Sequence, residues 1–230
     1  MKILVFDTET TGLPKTKFIS PSTLDQWPYI VQFSFIIYDS SLNDIVESND
    51  VIIKLPENIL IPEESTKIHN ITNELSQKSG LQINEILNVF FHHLRNVDRL
   101  VGHNIEFDLN MIKVEISRII NANQVTQEQL KSYKYNLHFL NNYKNISCTL
   151  KDSIKFCNIQ AINKSGKPYL KYPKLIELHN KLFNETPKNL HNSFNDILVT
   201  LRCFMKLKHG IDLIDNCMAF KKYSEQIYTI

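Results

Sequence analysis

The sequence predicts an α/β protein in which helices flank a central mixed sheet of five strands. Segments rich in β-branched and aromatic residues dominate the first third of the chain, whereas segments with a 3.6-residue apolar period dominate the rest. Short apolar runs recur between the helical segments. Strands that come first and then alternate with helices predict three antiparallel strands followed by two parallel ones.

Five segments have the character of strands. Residues 2–7 form a continuous apolar run, which is typical of a central strand covered on both faces. The segments 31–39 and 44–55 are joined by the turn residues Ser40 to Asn43, so the first three strands are interpreted as an antiparallel meander. Shorter apolar runs at 99–103 and 146–149 complete the predicted sheet.

Helices are predicted between and after these strands. Pro62 opens a short helix, and residues 84–95 carry apolar side chains at helical spacing. Asn104 is expected to cap a long helix whose apolar stripe runs to Ile119. Three further helices are predicted at 150–157, 173–183 and 193–208. The organisation is therefore one domain at 1–208, with a C-terminal extension at 209–230 that we expect to pack on it or to bind a partner.

Composition sets limits on the class of protein. A formal net charge of +2 means that any surface for nucleic acid must be a local patch. The four cysteines form no CxxC pair, which is typical of reduced thiols in an intracellular protein. No apolar run has the length of a membrane span or the form of a signal peptide, so we expect a cytoplasmic protein without a membrane partner.

Acidic residues at two places in the sequence suggest a shared site. Asp7 and Glu9 are two apart on a strand, so both carboxylates can face one side about 7 Å apart. A polar strand end is an equally good interpretation of this segment alone. Asp108 adds weight because it borders the apolar stripe of the long helix, where an unpaired charge is costly and a cation is an effective partner.

His191 and Asp196 complete the set. Five residues apart on a regular helix, they would point about 140° away from each other, so His191 must precede the helix on a mobile entry loop. A histidine with an ordinary pKa of about 6.5 is suited to take a proton from attacking water near neutral pH. Four carboxylates and one histidine predict a two-metal site that hydrolyses phosphodiesters.

Three motifs around these residues resemble the DnaQ-like, or DEDDh, family of 3′-to-5′ exonucleases within the RNase H-like superfamily. FDTETTGLP is similar to the first family motif, VGHNIEFDLNMI to the second and LHNSFNDILVT to the third, in the family's order. The segments KIHNIT and CTLKDS also resemble family elements. Ser193 is a departure, since the third motif usually has alanine there.

The resemblance implies an RNase H-like fold and a division of roles. Asp7, Glu9, Asp108 and Asp196 would hold two Mg²⁺ or Mn²⁺ ions, with His191 as the general base. The implied activity releases nucleoside 5′-monophosphates from the 3′ ends of single-stranded or frayed nucleic acid, with DNA favoured over RNA. The residues that would bind the terminal nucleotide are Thr10, Thr11, Gly12, Leu13, His69, Asn104 and Phe107.

Alternatives remain open at this point. The same fold could serve as a nucleic-acid or polymerase-binding module without catalysis, or as an RNase H-type endonuclease. A polymerase acting in trans is a candidate partner, and the oligomeric state is open. Two basic and aromatic segments could contact a substrate strand or could be solvated loops. The first comprises Lys164, Lys167, Tyr169, Lys171, Tyr172 and Lys174, and the second comprises Lys131, Tyr133, Lys134, Tyr135, Tyr143 and Lys144.

Overall fold

The computed structural model of this protein describes residues 1–122 and 125–228. Its centre is a five-stranded mixed sheet in the order β3-β2-β1-β4-β5. The strands are β1 (Lys2–Thr10), β2 (Ile30–Asp39), β3 (Asp44–Ile52), β4 (Arg99–Gly102) and β5 (Ile146–Cys148). The pairs β1–β2 and β2–β3 are antiparallel, whereas β1–β4 and β4–β5 are parallel. The predicted fold class is confirmed.

Helices cover both faces of this sheet. In chain order they are α1 (Glu63–His69), α2 (Asn73–Ser79), α3 (Ile83–Leu94), α4 (Ile105–Asn121), α5 (Gln127–Asn142), α6 (Thr149–Asp152), α7 (Ile154–Cys157), α8 (Leu175–Phe183), α9 (Ser193–His209), α10 (Leu213–Asn216) and α11 (Met218–Tyr223). Two short strands, β6 (Gln160–Ile162) and β7 (Pro168–Leu170), form a separate hairpin. A short 3₁₀ helix lies at Pro21–Gln26. Helix α5 and the hairpin were not predicted.

The central strand divides the core into two layers. Leu4 and Phe6 pack in the cluster that contains α3 and α4, whereas Ile3 and Val5 pack in the cluster that contains α9. Side chains alternate along a strand, so Asp7 and Glu9 continue the face that α9 covers. The acidic residues of this strand therefore lie at its carboxyl end, beyond the fully buried residues.

The start of α4 differs from expectation. Asn104 occupies the N-cap position, but its φ of 65° is left-handed and, among the described residues, its side chain makes no capping hydrogen bond. The predicted capping role was therefore wrong. Asparagine tolerates this conformation better than most residues, which allows the sharp turn between β4 and α4.

The C-terminal segment packs against α9. Leu213, Phe220, Ile227 and Tyr228 are almost completely buried in the same cluster as that helix. Residues 229–230 of the predicted extension lie outside the described part of the chain. Within the described residues, no helix is both long enough and apolar enough to cross a membrane.

Candidate metal centre and active-site cavity

Three carboxylates meet at the carboxyl end of β1. Asp7 and Glu9 come from the strand and Asp196 from the first turn of α9, and one oxygen of each lies within 4.8 Å of the others. All three side chains are partly buried. The strand and helix are well-packed core elements, so the backbone holds these side chains in place before any ligand arrives.

The fourth carboxylate approaches from α4. Asp108 is only 3% exposed. Its Oδ1 accepts a hydrogen bond from the Thr8 backbone N–H at 3.0 Å and another from the Thr8 hydroxyl at 2.7 Å. Asp108 lines the same cavity as Asp7, Glu9 and Asp196. Thr8 therefore fixes the Asp108 carboxylate beside the other three carboxylates. The neighbours of Thr8 on the strand, Asp7 and Glu9, point to the opposite face of the sheet, which α9 covers.

Helix α9 is fastened to β2 at its first turn. The Asn192 side chain caps the helix by accepting from the backbone N–H groups of Phe194 and Asn195. The hydroxyls of Ser193 and Ser34 are hydrogen-bonded at 2.5 Å, and the Ser193 backbone N–H donates to Gln32 Oε1 at 3.2 Å. The serine at the position where the family motif usually has alanine thus makes a buried contact that anchors the helix carrying Asp196.

The site is strongly unfavourable for four negative charges. Burial, followed by the charges of Asp108, Asp196 and Glu9, raises the pKa of Asp7 well above its usual range. Burial and the neighbouring carboxylates raise the pKa of Glu9 to about 8. Burial also raises the pKa values of Asp108 and Asp196 to about 7, although hydrogen bonds from Thr8 to Asp108 and from the His191 backbone to Asp196 act in the opposite direction. These carboxylates need positive charge nearby if all are to be ionised at neutral pH.

The donor set fits a hard divalent cation. Carboxylate oxygens are the ligands that Mg²⁺ and Mn²⁺ prefer. Asp196 Oδ1 is buried, and within the described residues it has no hydrogen-bond partner. A buried carboxylate oxygen without a hydrogen-bond donor, in a cluster of carboxylates, is free to bind a cation.

His191 stands at the rim of this centre. It is exposed and lies two residues before α9 begins, with a left-handed φ of 67°. Its backbone N–H donates to Asp196 Oδ2 at 3.3 Å, and the residue lines the cavity. The histidine is thereby placed beside the carboxylates, but on a loop and open to solvent.

A cavity of about 830 Å³ surrounds these five residues. Leu13, Asn104 and Phe107 line it, and Leu13 is 81% exposed. A largely exposed apolar side chain in the lining of an acidic cavity can contact the apolar face of a ligand.

The other four residues predicted to bind substrate are not among the described residues that line this cavity. The Thr10 hydroxyl donates to the Gly12 carbonyl at 2.7 Å, and the Thr11 hydroxyl accepts from the Tyr29 backbone N–H at 2.9 Å. His69 is 5% exposed, and its Nδ1 accepts from the Ile71 backbone N–H at 3.1 Å. Thr10, Thr11 and Gly12 thus shape the turn after β1, whereas His69 bonds a backbone group just after α1. The predicted contact of these four residues with substrate stays a prediction.

Comparison with known proteins gives a consistent result. Residues 4–204 match the RNase T family, which is described as exonuclease. The chain belongs to this exonuclease family. No curated protein gave a significant match to the sequence.

Solved structures with the same fold include exonuclease I from two bacteria. The enzyme from Methylocaldum szegediense has a TM-score of 0.56 and 18% identity, over 93% of this chain and 42% of that one. E. coli exonuclease I in complex with a dT13 oligonucleotide has a TM-score of 0.56 and 19% identity, over 89% of this chain and 41% of that one. At such low identity the likeness is one of fold, and this chain spans about two fifths of the length of those proteins.

Sequence reasoning about this exonuclease-family chain missed His103. Its Nδ1 contacts the Thr149 hydroxyl at 2.9 Å and its Nε2 contacts the Pro173 carbonyl at 3.1 Å. Burial lowers its pKa to about 4, so the ring is neutral at physiological pH. His103 therefore ties the wall of the cavity to the segment after β7. Its position directly before Asn104 in the VGHN motif was the signal in the sequence.

Proposed function

We propose that this protein is a metal-dependent 3′-to-5′ exonuclease acting on single-stranded or frayed nucleic acid ends, with DNA as the preferred substrate. The observation that carries the proposal is the group of Asp7, Glu9 and Asp196, whose oxygens lie within 4.8 Å of one another. Asp108 and His191 border the same cavity. The fold and the family membership support nuclease chemistry, and the motif set supports the 3′-to-5′ direction.

Each residue has a role in this proposal. Asp7, Glu9, Asp108 and Asp196 would hold two divalent cations, Mg²⁺ or Mn²⁺. Bound cations supply the charge that lowers the pKa of attacking water and stabilises the departing 3′ oxygen. His191 accepts a proton from the attacking water, and Thr8 keeps Asp108 oriented by its two hydrogen bonds. The product would be a nucleoside 5′-monophosphate.

The terminal nucleotide would occupy the cavity between Leu13 and Phe107. Their apolar side chains line it together with Asn104. Stacking or packing of a base on such side chains tolerates any sequence, as an exonuclease requires. The DNA preference is supported by the oligonucleotide complexes of exonuclease I. RNA ends and a polymerase partner remain predictions.

Tyr172 and Lys174 line the same cavity and follow directly after the β6–β7 hairpin. Lys164, Lys167 and Tyr169 on that hairpin are exposed. We place the continuing substrate strand along this hairpin, because cations and aromatic faces are the usual surface for single strands. The second basic segment, which begins on α5 and ends just after it, contributes no residue to the cavity lining among the described residues.

A labelled oligonucleotide tests the proposal. We expect stepwise release of mononucleotides from the 3′ end in Mg²⁺ or Mn²⁺, loss of release in EDTA, and loss of release in Asp7→Ala. Asp25→Ala removes an exposed carboxylate outside the cavity and serves as the matched control. Release that persists in EDTA, or cleavage of a circular substrate, would contradict the proposal.

A further inference from the structure

The loop that carries His191 has an unfavourable backbone conformation. Asn189 has a φ of 55° and His191 a φ of 67°, so two of three successive residues are left-handed. Non-glycine residues in this region persist only where the surrounding structure holds them. The source of that constraint therefore bears on how His191 is positioned.

Three amide side chains form a closed ring of hydrogen bonds under this loop. Gln226 Nε2 donates to Asn195 Oδ1 at 2.8 Å, and Asn195 Nδ2 donates to the Asn189 carbonyl at 2.7 Å. Asn189 Nδ2 in turn donates to the Gln226 carbonyl at 2.9 Å. A fourth bond runs beside the ring, from the Lys188 backbone N–H to the Ile227 carbonyl at 3.0 Å. The C-terminal segment thus contacts the loop at two successive residues.

The segment that supplies Gln226 is itself firmly held. Ser224, Ile227 and Tyr228 are buried on either side of Gln226. The Tyr228 ring stacks on His179 of α8 at 5.3 Å, and the Arg202 guanidinium of α9 lies 4.4 Å from the same ring. Gln226 is therefore fixed relative to α8 and α9, although its own side chain reaches the surface.

The ring joins that fixed segment to the two residues that flank the active centre. Asn195 is 4% exposed and directly precedes Asp196. Asn189 lies two residues before His191. A movement of the loop away from the carboxylates would break the hydrogen bonds that Asn189 makes with Asn195 and Gln226. A movement of the C-terminal segment would break the hydrogen bonds that Gln226 makes with Asn195 and Asn189.

We propose that Gln226 is a positioning residue that holds the His191 loop in its working conformation beside Asp196. This inference rests on the proposed exonuclease function for its kinetic consequence. The structural part, that the C-terminal segment restrains the loop, stands independently of activity. The C-terminal segment would then set the turnover number without touching substrate.

Gln226→Ala opens the ring by removing one of its three bonds and leaves a buried amide oxygen of Asn195 without its donor. We expect kcat to fall about three- to tenfold, because the Asn195 amide that donates to the loop loses the hydrogen bond that orients it. The KM for a long oligonucleotide and the Mg²⁺ concentration for half-maximal activity should change much less, because the carboxylates are held by β1, α4 and α9. Glu225→Ala, at the exposed neighbouring position, is the matched control and should leave all three values unchanged.

A double-variant comparison separates positioning from general damage. In a His191→Ala background, Gln226→Ala should cause no further loss, since there is no histidine left to position. An equal loss in both backgrounds would overturn the proposal. Gln226→Met keeps the length of the side chain and removes only the amide, so it gives the same comparison should the alanine variant unfold.

Amide hydrogen exchange supplies a readout that does not depend on activity. Peptides covering residues 188–192 should exchange faster in Gln226→Ala than in the wild type, while peptides from β1 remain protected. Unchanged exchange in 188–192 would reject the proposal even in an active enzyme. If exchange is faster in the variant but the wild type has no exonuclease activity, the result would support the restraint of the loop by Gln226 and would reject the proposed function.

Discussion

Glu9 shows at the scale of one residue what it costs to gather four carboxylates without a cation. Its pKa is raised from 4.5 to about 8, by burial first and then by the charges of Asp196 and Asp108. Between these two pH values the native state holds a proton that the unfolded chain has released. Without metal, the free energy of unfolding therefore falls as the pH rises through this window.

Glu9→Gln removes that titration, and we expect it to stabilise the metal-free protein. In EDTA, the melting temperature of the variant should exceed that of the wild type by a margin that grows from about pH 5 to pH 8. Saturating Mg²⁺ should reverse the order, because the wild type binds the cation more tightly than the variant does. A margin that is constant with pH would show that Glu9 titrates normally in the folded protein.

The sequence was most informative at this scale for residues whose chemistry is unusual. Unpaired charges beside apolar segments are costly, and this cost pointed to five residues in the sequence. The structure brings all five to one cavity: Asp7, Glu9, Asp108, His191 and Asp196. The ring of Asn189, Asn195 and Gln226 could not be predicted. Amides are common on surfaces, and only the tertiary structure brings these three together.

At the scale of elements, the strands and helices that could be predicted were those with a strong apolar period in the sequence. Strands β1 and β2 and helices α4 and α9 have apolar faces that lie in the core. Helix α5 was missed because it buries only Tyr133, Asn136 and Leu140 and has a mostly polar sequence. A capping box of Thr126 and Gln129 was the available signal. The hairpin strands contain three residues each, too few for a pattern to show.

The β6–β7 hairpin is the element whose binding role can be tested most directly. The double variant Lys164→Ala with Lys167→Ala should weaken binding of a long oligonucleotide. It should also reduce the slope of log K against log salt by about 0.7 for each phosphate that the lysines no longer neutralise. An oligonucleotide of two or three nucleotides should bind as before, because it fills only the cavity.

Helix α5 provides the control for this experiment. Lys131→Ala with Lys134→Ala removes the same charge from exposed positions on a different element. If both double variants weaken binding equally, the effect belongs to net charge and the hairpin has no special role. A difference confined to the hairpin would place the substrate strand there.

At the scale of the whole molecule, the C-terminal segment and the sheet share one core. Leu213, Phe220, Ile227 and Tyr228 bury their side chains in the cluster that contains α9 and β1. Arg202 of α9 pairs with Asp212 through two hydrogen bonds of 2.8 and 2.9 Å. The spacing of apolar residues in this segment was loosely helical, but sequence alone left open whether it covers this core or meets a partner.

A chain that ends at residue 208 should therefore fail to fold stably. Burial of four large side chains contributes roughly 6–12 kcal/mol, which is comparable with the whole stability of a typical domain at about 5–15 kcal/mol. We expect the shortened chain to lose its cooperative thermal transition and its near-ultraviolet circular dichroism. A shortened chain that melts as sharply as the full chain would show that residues 1–208 form an independent domain.

The distance in sequence between Asp7 and Asp196 has a consequence for synthesis in the cell. The first strand emerges from the ribosome early, but the carboxylate centre is incomplete until α9 and the segment that covers it have been made and have folded. A nascent chain consequently carries three of the four carboxylates without the fourth, and without the histidine. Under the proposed function, nuclease activity would appear only after translation has passed this region, so an incomplete chain cannot degrade nucleic acid while it is still attached to the ribosome.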